Sequence, residues 1–215
     1  MTIEEVYTKI KEMIYFNQLA PGQKLIYSDL AKRLNVSVTP VVQALNRLET
    51  SNLVKYHPNK GYFVGQITDA EAEQLYQARE ALEIYIVPIV IQNLNPKKLD
   101  EIRKAFKRHW EGYGNHYSRE LILLDAKFHL QIAEYAHNDV IYRLLRDIFE
   151  QIYLKYPPQY LNTERAKAVV VEHRRILSAL RKGNVEETVD VIKQHIKAGM
   201  GHVISSLRPG KSNIL

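Results

Sequence analysis

The residues of this chain best suited to chemistry are one carboxylate and three imidazoles. Asp125 and His129 lie four positions apart among apolar residues, so a helix would place both on its inward face. His173 and His195 fall into the apolar stripes of two later helical segments. A single buried histidine is usually hydrogen-bonded to a backbone carbonyl, but a buried carboxylate among three imidazoles is costly unless a cation neutralises it. The four residues predict a divalent metal site, for Zn²⁺ or Ni²⁺, with Mn²⁺ as the alternative.

A further charged side chain, Arg79, is expected to enter the same helical interior. It shares an apolar helix face with Leu82 and Ile86. Its partner could be Glu83, four residues on, in an i, i+4 ion pair. The alternative is that its planar fork receives the carboxylate of a small molecule whose oxygens complete the coordination of the metal.

These side chains depend on a series of helices predicted within residues 67–215. A capping box at Thr68–Glu71 starts a helix that runs to about Leu94. Short connections and helical periodicity throughout predict an antiparallel all-α bundle. The five further segments run from Asn95 to about Gly112, from Ser118 to Ala136, from Asn138 to before Pro157, from Asn162 or Thr163 to Lys182, and from Val185 to Leu207.

Residues 1–66 predict a winged helix-turn-helix. Ser28 is a candidate N-cap for a helix that ends at Leu34, and Thr39 followed by Pro40 predicts the start of a second helix. Two β-prone runs, 53–57 and 62–64, flank a glycine-containing turn. These runs predict the wing.

The second helix of this motif is predicted to present a DNA-reading face. Its apolar residues recur at i, i+3, i+4 and i+7, so its other side faces outward, towards a major groove. Gln43 and Asn46 could pair with adenine N6 and N7, and valines could contact thymine methyl groups. Threonine and basic side chains suit phosphate, which fixes register. The predicted DNA-binding set is Val38, Thr39, Val42, Gln43, Asn46, Arg47, Lys60 and Gly61.

Composition narrows the classes of protein that remain. The 215 residues are 46% hydrophobic, enough to bury one large core or two small ones. The longest apolar run, 84–91, contains Pro88 and is far shorter than the roughly 20 residues that span a bilayer. Thr2–Glu5 is a capping box rather than the start of a signal peptide, so we expect a cytoplasmic protein.

Charge and cysteine content add two limits. The chain has no cysteine, so any metal must be held by histidines and carboxylates. The net charge of +6 fits a nucleic-acid partner without demanding one.

In its first third the chain resembles the GntR family of bacterial transcription regulators. Family members usually carry arginine at the positions of Val38 and Val42, where it reads guanine. This chain therefore lacks two base-reading cations. We expect its operator core to be richer in A·T than is usual for the family. The resemblance lies in Pro21-Gly22, Leu25, Leu30-Ala31, Val36-Ser37, Thr39-Pro40-Val41, Ala44-Leu45, Leu48 and Pro58-Asn59-Lys60-Gly61.

The remainder resembles the FCD ligand-binding domain of the FadR-like branch of that family. Metal-binding FCD domains use Asp-x-x-x-His on one helix and one histidine on each of two later helices, which Asp125, His129, His173 and His195 match. The resemblance implies a small organic acid effector, such as a hydroxy, keto or sugar acid, at the metal and Arg79. It also implies a homodimer held together by the helical domain.

The leading hypothesis is therefore a metal-containing, effector-responsive regulator that binds a palindromic operator in double-stranded DNA as a homodimer. An enzyme is the first alternative, because such a metal could activate water. It is disfavoured because the ligands lack a clear general base or acid beside them. A protein-interaction module whose winged helix no longer binds DNA specifically is the second alternative, suggested by Val38 and Val42.

Overall fold

The computed structural model describes residues 1–112, 119–157 and 163–208. These residues form two compact units. The first unit is Met1–Ile67 with the C-terminal turn of a later helix from Gln151, and the second runs from Thr68 to Glu150 and continues in the described residues from Thr163. The predicted class, a mainly α chain with an N-terminal winged helix-turn-helix, is confirmed.

The first unit contains three helices and a small sheet. Helix α1 packs on α3, and α2 also packs on α3. The strands form an antiparallel sheet in the order β1-β3-β2. The elements are α1 Ile3–Tyr15, β1 Lys24–Leu25, α2 Tyr27–Leu34, α3 Val38–Thr50, β2 Val54–His57 and β3 Gly61–Val64.

Two helices of this unit begin earlier than the sequence predicts. Helix α2 has Ile26 as its N-cap, and the Ile26 carbonyl accepts the first helical hydrogen bond from Leu30, so the prediction of Ser28 as the N-cap was wrong. Helix α3 has Ser37 as its N-cap, so Thr39 is not the cap. Pro40 is tolerated at the third position because the N–H groups of the first turn have no intrahelical partner.

The wing is a hairpin joined to a strand that the sequence did not reveal. Val54 pairs with Val64 and His57 with Gly61 across the hairpin. Strand β1 is only two residues long, too short to show an alternating pattern, and it pairs with β3. The turn relies on positive φ at Asn59 (63°) and Gly61 (89°), a conformation that glycine adopts without steric cost.

In the described residues of the second unit, all regular secondary structure is helical. Helix α4 packs on α9 and α6, α5 packs on α6 and α8, and α8 packs on α9. Among the described residues, no helix is long and apolar enough to cross a membrane. The helices are α4 Asp69–Asn93, α5 Pro96–Gly112, α6 Arg119–Glu134, α7 Asp139–Lys155, α8 Thr163–Lys182 and α9 Val185–Leu207.

Most predicted helix starts of this unit are confirmed. The hydroxyl of Thr68 accepts from Glu71 N at 3.2 Å, and Asn138 Oδ1 accepts from Ile141 N at 3.0 Å, which satisfies N–H groups of two first turns. The predicted caps Ser118 and Asn162 lie outside the described residues.

Candidate metal centre and nucleic-acid interface

The four predicted ligands converge at one point inside the second unit. Helix α6 supplies Asp125 and His129 because their i, i+4 spacing puts both on the face that packs inward, while α8 supplies His173 and α9 supplies His195. One donor atom from each lies within 4.8 Å of the others. The three histidines are at most 3% exposed. The cluster is thus a closed constellation of one carboxylate and three imidazoles.

The distances between the candidate ligand atoms can be compared with those in a metal coordination shell. The Nε2 atom of His129 lies 3.0 Å from that of His195 and 3.2 Å from that of His173. Asp125 Oδ1 lies 3.0 Å from His173 Nε2 and 3.8 to 3.9 Å from the other two Nε2 atoms. Ligands about 2.0–2.1 Å from a tetrahedral Zn²⁺ are about 3.3 Å apart, so these separations match a coordination shell.

Two glutamates set the tautomers of two of the three imidazoles. The Nδ1–H of His129 donates to Glu83 Oε2 at 2.7 Å, and the Nδ1–H of His195 donates to Glu172 Oε2 at 2.7 Å. Neutral imidazoles that donate through Nδ1 carry lone pairs on Nε2. Lone pairs that face each other at 3.0 Å repel unless a cation lies between them. The donor set therefore fits a divalent metal ion.

Electrostatics favour the protonation states that bind a metal. Burial lowers the pKa of His173 well below its usual range, and burial offset in part by the bond to Glu172 lowers the pKa of His195 to about 4. For Asp125 burial acts to raise the pKa, but the hydrogen bond from His173 and the neighbouring imidazoles hold it well below its usual value. Near neutral pH His173 and His195 are thus neutral and Asp125 is ionised, the states in which these groups bind a metal.

Arg79 forms the ion pair of the first sequence-based alternative and also lies beside the candidate ligands. Its Nε donates to Glu83 Oε1 at 2.5 Å, so the predicted ion pair is present. Its Nη2 lies 3.2 Å from His195 Nε2, and its guanidinium lies over the ring of Phe149, with its carbon 4.5 Å from the centroid. The Nε of the guanidinium thus binds Glu83, while its Nη2 lies beside the cluster of candidate metal ligands.

Sequence reasoning missed the role of Glu172, which precedes the predicted ligand His173 in the chain. In the structure Glu172 reaches from α8 to His195 on α9 and also accepts from both terminal nitrogens of Arg165, at 2.5 and 2.8 Å. Burial acts to raise the pKa of Glu172, but the hydrogen bonds from His195 and Arg165 lower it to about 2. The sequence signal is the i, i+7 spacing of Arg165 and Glu172, which is two helical turns.

The predicted reading face lies on α3, opposite its apolar core. Val38 is 40% exposed, Thr39, Gln43 and Asn46 are also exposed, and Val42 is half-buried. The earlier start of α3 brings Val38 and Thr39 into its first turn. The N-terminal residues of a recognition helix are those that contact base edges, so this position suits base reading.

The remaining predicted DNA contacts divide into two groups. Lys60 is exposed and Gly61 half-buried at the tip of the wing. Arg47 instead turns towards α1, where it pairs with Glu4 at 2.8 Å and lies over the ring of Tyr7 at 4.5 Å. The structure therefore does not bring Arg47 together with the other predicted contacts.

A winged helix-turn-helix followed by a separate helical unit defines a class of protein, the DNA-binding transcription regulators with a C-terminal helical domain. The family model described as "Bacterial regulatory proteins, gntR family" matches residues 2–64, and the FCD domain model matches residues 74–198. The chain belongs to the GntR family and carries an FCD domain. The matched families are transcription regulators and not enzymes.

Individual relatives agree with this assignment. The chain is 27% identical over 210 residues to an uncharacterized HTH-type transcriptional regulator, YdhC, of Bacillus subtilis (strain 168), covering 97% of this chain and 94% of the relative. It is 22% identical over 184 residues to the HTH-type transcriptional regulator McbR of Escherichia coli (strain K12), covering 85% and 83%. The solved structure of E. coli McbR/YncC superposes with a TM-score of 0.79 at 20% identity, covering 96% and 98%, which shows a shared fold.

Proposed function

We propose that this GntR-family regulator holds a divalent metal in its FCD domain and that a small organic acid bound there changes its affinity for a palindromic operator. The protein acts in the cytoplasm as a homodimer. The observation that carries the proposal is the convergence of three imidazole Nε2 atoms and one carboxylate in a buried site, with the tautomers of His129 and His195 fixed by glutamates. A divalent cation at the centre would neutralise the buried carboxylate and be coordinated by the three imidazoles together.

Asp125, His129, His173 and His195 would hold the metal. Zn²⁺ and Ni²⁺ suit imidazole ligands best, and Mn²⁺ is the alternative. The bound metal supplies a Lewis-acidic anchor for an anionic oxygen. Glu83 and Glu172 keep the imidazole rings oriented, as outer acceptors of metal-ligating histidines do.

Arg79 would recognise the effector. Its Nη2 lies beside the ligand cluster, so a carboxylate can accept from the guanidinium while one of its oxygens approaches the metal. The pairing of Arg79 Nε with Glu83 fixes the guanidinium in this orientation. The proposed effector is therefore a small acid rather than a neutral ligand.

The metal is tested by mass spectrometry of protein purified without chelators. Wild type should carry close to one equivalent of Zn²⁺ or Ni²⁺, and His173→Ala should lose it. His57→Ala, which removes an exposed histidine from the other unit, is the matched control and should retain the metal. Full occupancy in His173→Ala would contradict the proposed ligand set.

A homodimer is supported by the exposed face of α4. Six exposed positions on one face of this helix recur at alternating steps of four and three residues, the spacing of a helix-packing seam, and none of the six is charged; exposed Glu73 lies beside this face. Tyr85 on this face is 62% exposed. The seam consists of Gln74, Ala78, Ala81, Tyr85, Pro88 and Gln92.

A neutral seam can pack against its own copy without charge repulsion, as a twofold interface requires. Tyr85→Arg should shift the protein from dimer to monomer in sedimentation velocity. Val140→Arg, at a position of α7 that is 57% exposed, should leave the dimer intact. A dimer that survives Tyr85→Arg would place the interface elsewhere.

A further inference from the structure

The wing and the recognition helix of this chain are joined by one side-chain hydrogen bond. Tyr62 lies on the central strand β3, opposite Leu25 of β1 and Tyr56 of β2, and is 9% exposed. Its hydroxyl donates to Oδ1 of Asn46 on α3. The ring of Tyr56 packs against that of Tyr62 with centroids 4.9 Å apart. The phenol is thus held by the sheet at one end and by Asn46 at the other.

This bond changes what Asn46 can read. Asparagine recognises adenine through two atoms at once, since Oδ1 accepts from the N6 amino group while Nδ2 donates to N7. Here Oδ1 already accepts from a hydroxyl whose orientation is fixed by a buried ring. The bond to Tyr62 takes one of the two lone pairs of Oδ1 and turns the amide towards the wing, so Asn46 cannot present Oδ1 and Nδ2 together to the paired edge of adenine without breaking it. Its Nδ2–H groups remain donors that match phosphate oxygens.

We propose that Tyr62 and Asn46 are positioning residues that hold the wing against the recognition helix, and that Asn46 does not specify a base. Residues in the first two turns of α3 then recognise the base sequence of the operator. These turns carry Val38, Thr39, Val42 and Gln43 on the outward face. Tyr62, which nothing in the sequence pattern marks as functional, becomes a determinant of DNA affinity.

The test is selection of duplexes from a randomised pool by the full-length chain, followed by affinity measurement on the selected duplex. Tyr62→Phe keeps the ring and removes only the donor. We expect it to weaken binding about fivefold, the effect of one lost hydrogen bond, and to leave the base preference at every position unchanged. Asn46→Ala should give a similar loss and the same unchanged preferences.

The two changes should also be coupled, which a merely local destabilisation would not produce. The double variant should bind about as tightly as either single variant, since both remove the same bond. Gln43→Ala is the matched comparison, because it removes an amide from the same face and should alter the preference at one base pair.

The proposal is overturned if Asn46→Ala erases the preference for one base pair, or if the losses of the two single variants add in the double variant. Thermal unfolding of each variant is measured in parallel. If Asn46→Ala fails to fold, the comparison of Tyr62→Phe with wild type decides the question, since the phenylalanine preserves the packing of the sheet.

Discussion

Replacing Glu83 by glutamine tests the proposed metal centre, because this side chain binds two partners through different oxygens. Oε1 accepts from Arg79 and Oε2 accepts from His129. Glutamine keeps the volume but has one acceptor, so its amide N–H₂ must face an N–H of the guanidinium or the Nδ1–H of the imidazole. Either arrangement places two donors against each other in a site that is 4% exposed.

Two free energies follow from this geometry. The guanidinium of Arg79, which is 3% exposed, loses its counter-charge, and breaking a buried pair in this way costs about 3–5 kcal/mol of folding free energy. Loss of the acceptor behind a metal-ligating imidazole lowers metal affinity about 10- to 100-fold, or about 1.4–2.7 kcal/mol. Glu83→Gln should therefore weaken both the metal-free fold and the binding of metal.

Glu172→Gln is the matched control. Glu172 supports His195 just as Glu83 supports His129, but its carboxylate is 19% exposed and the side chain of its partner Arg165 13%. Its loss should lower metal affinity by the same factor, about 10- to 100-fold, while the folding cost falls to about 1–2 kcal/mol. The two variants should thus be similar in metal affinity and different in stability.

Urea unfolding of EDTA-treated protein, followed by circular dichroism, measures the folding cost. Competition with a chelating dye measures the affinity for Zn²⁺. Unchanged zinc affinity in both variants would refute the claim that the glutamates orient the imidazoles. Equal destabilisation in both would refute the argument from burial.

Three further outcomes follow from the same structure. Gln43→Ala should change sequence preference by about 1–3 kcal/mol at one base pair, whereas Lys60→Ala should weaken all duplexes alike; equal effects across a randomised operator library would contradict this division. Arg47→Ala should leave the salt dependence of DNA affinity unchanged, because Arg47 forms an ion pair with Glu4. If the slope of log affinity against log salt concentration falls by about one in a salt titration, Arg47 contacts phosphate. Removing metal with EDTA should lower the melting temperature of the wild-type protein, and added Zn²⁺ should restore it. In Asp125→Ala added Zn²⁺ should have no such effect. Recovery of the melting temperature in this variant would exclude Asp125 as a ligand.

The sequence predicts the ligand cluster well because helical periodicity is a local property. Asp125 and His129 share a face at i, i+4, and the stripes around His173 and His195 show which way those side chains turn. Bundle packing then leaves little choice about where inward-facing polar groups meet. The winged helix-turn-helix is predictable for the same reason, since its helices and hairpin each carry a local signal.

What the sequence cannot predict are contacts between elements that no periodicity links. Glu172 lies one residue from His173, yet it contacts His195 on the next helix. Arg47 was predicted to contact phosphate, and no periodicity reveals its ion pair with Glu4 on α1. Tyr62 lies in a strand whose alternating pattern predicts that its side chain is buried. Only the packing of the wing on α3 shows that its hydroxyl binds Asn46.

Charge balance in the described network gives a physical reason to expect an anionic effector. Three carboxylates, of Asp125, Glu83 and Glu172, are paired with two guanidinium groups, of Arg79 and Arg165, while the imidazoles of His173 and His195 are neutral near pH 7. Metal binding requires the third imidazole to be neutral too. One negative charge then remains in this network, and a divalent metal would turn it into one positive charge. A monoanionic carboxylate would then neutralise the site, whereas a neutral ligand would leave a buried charge uncompensated. Because α4, α6, α8 and α9 all contribute to this network, we expect a ligand that changes the coordination to act on four helices at once.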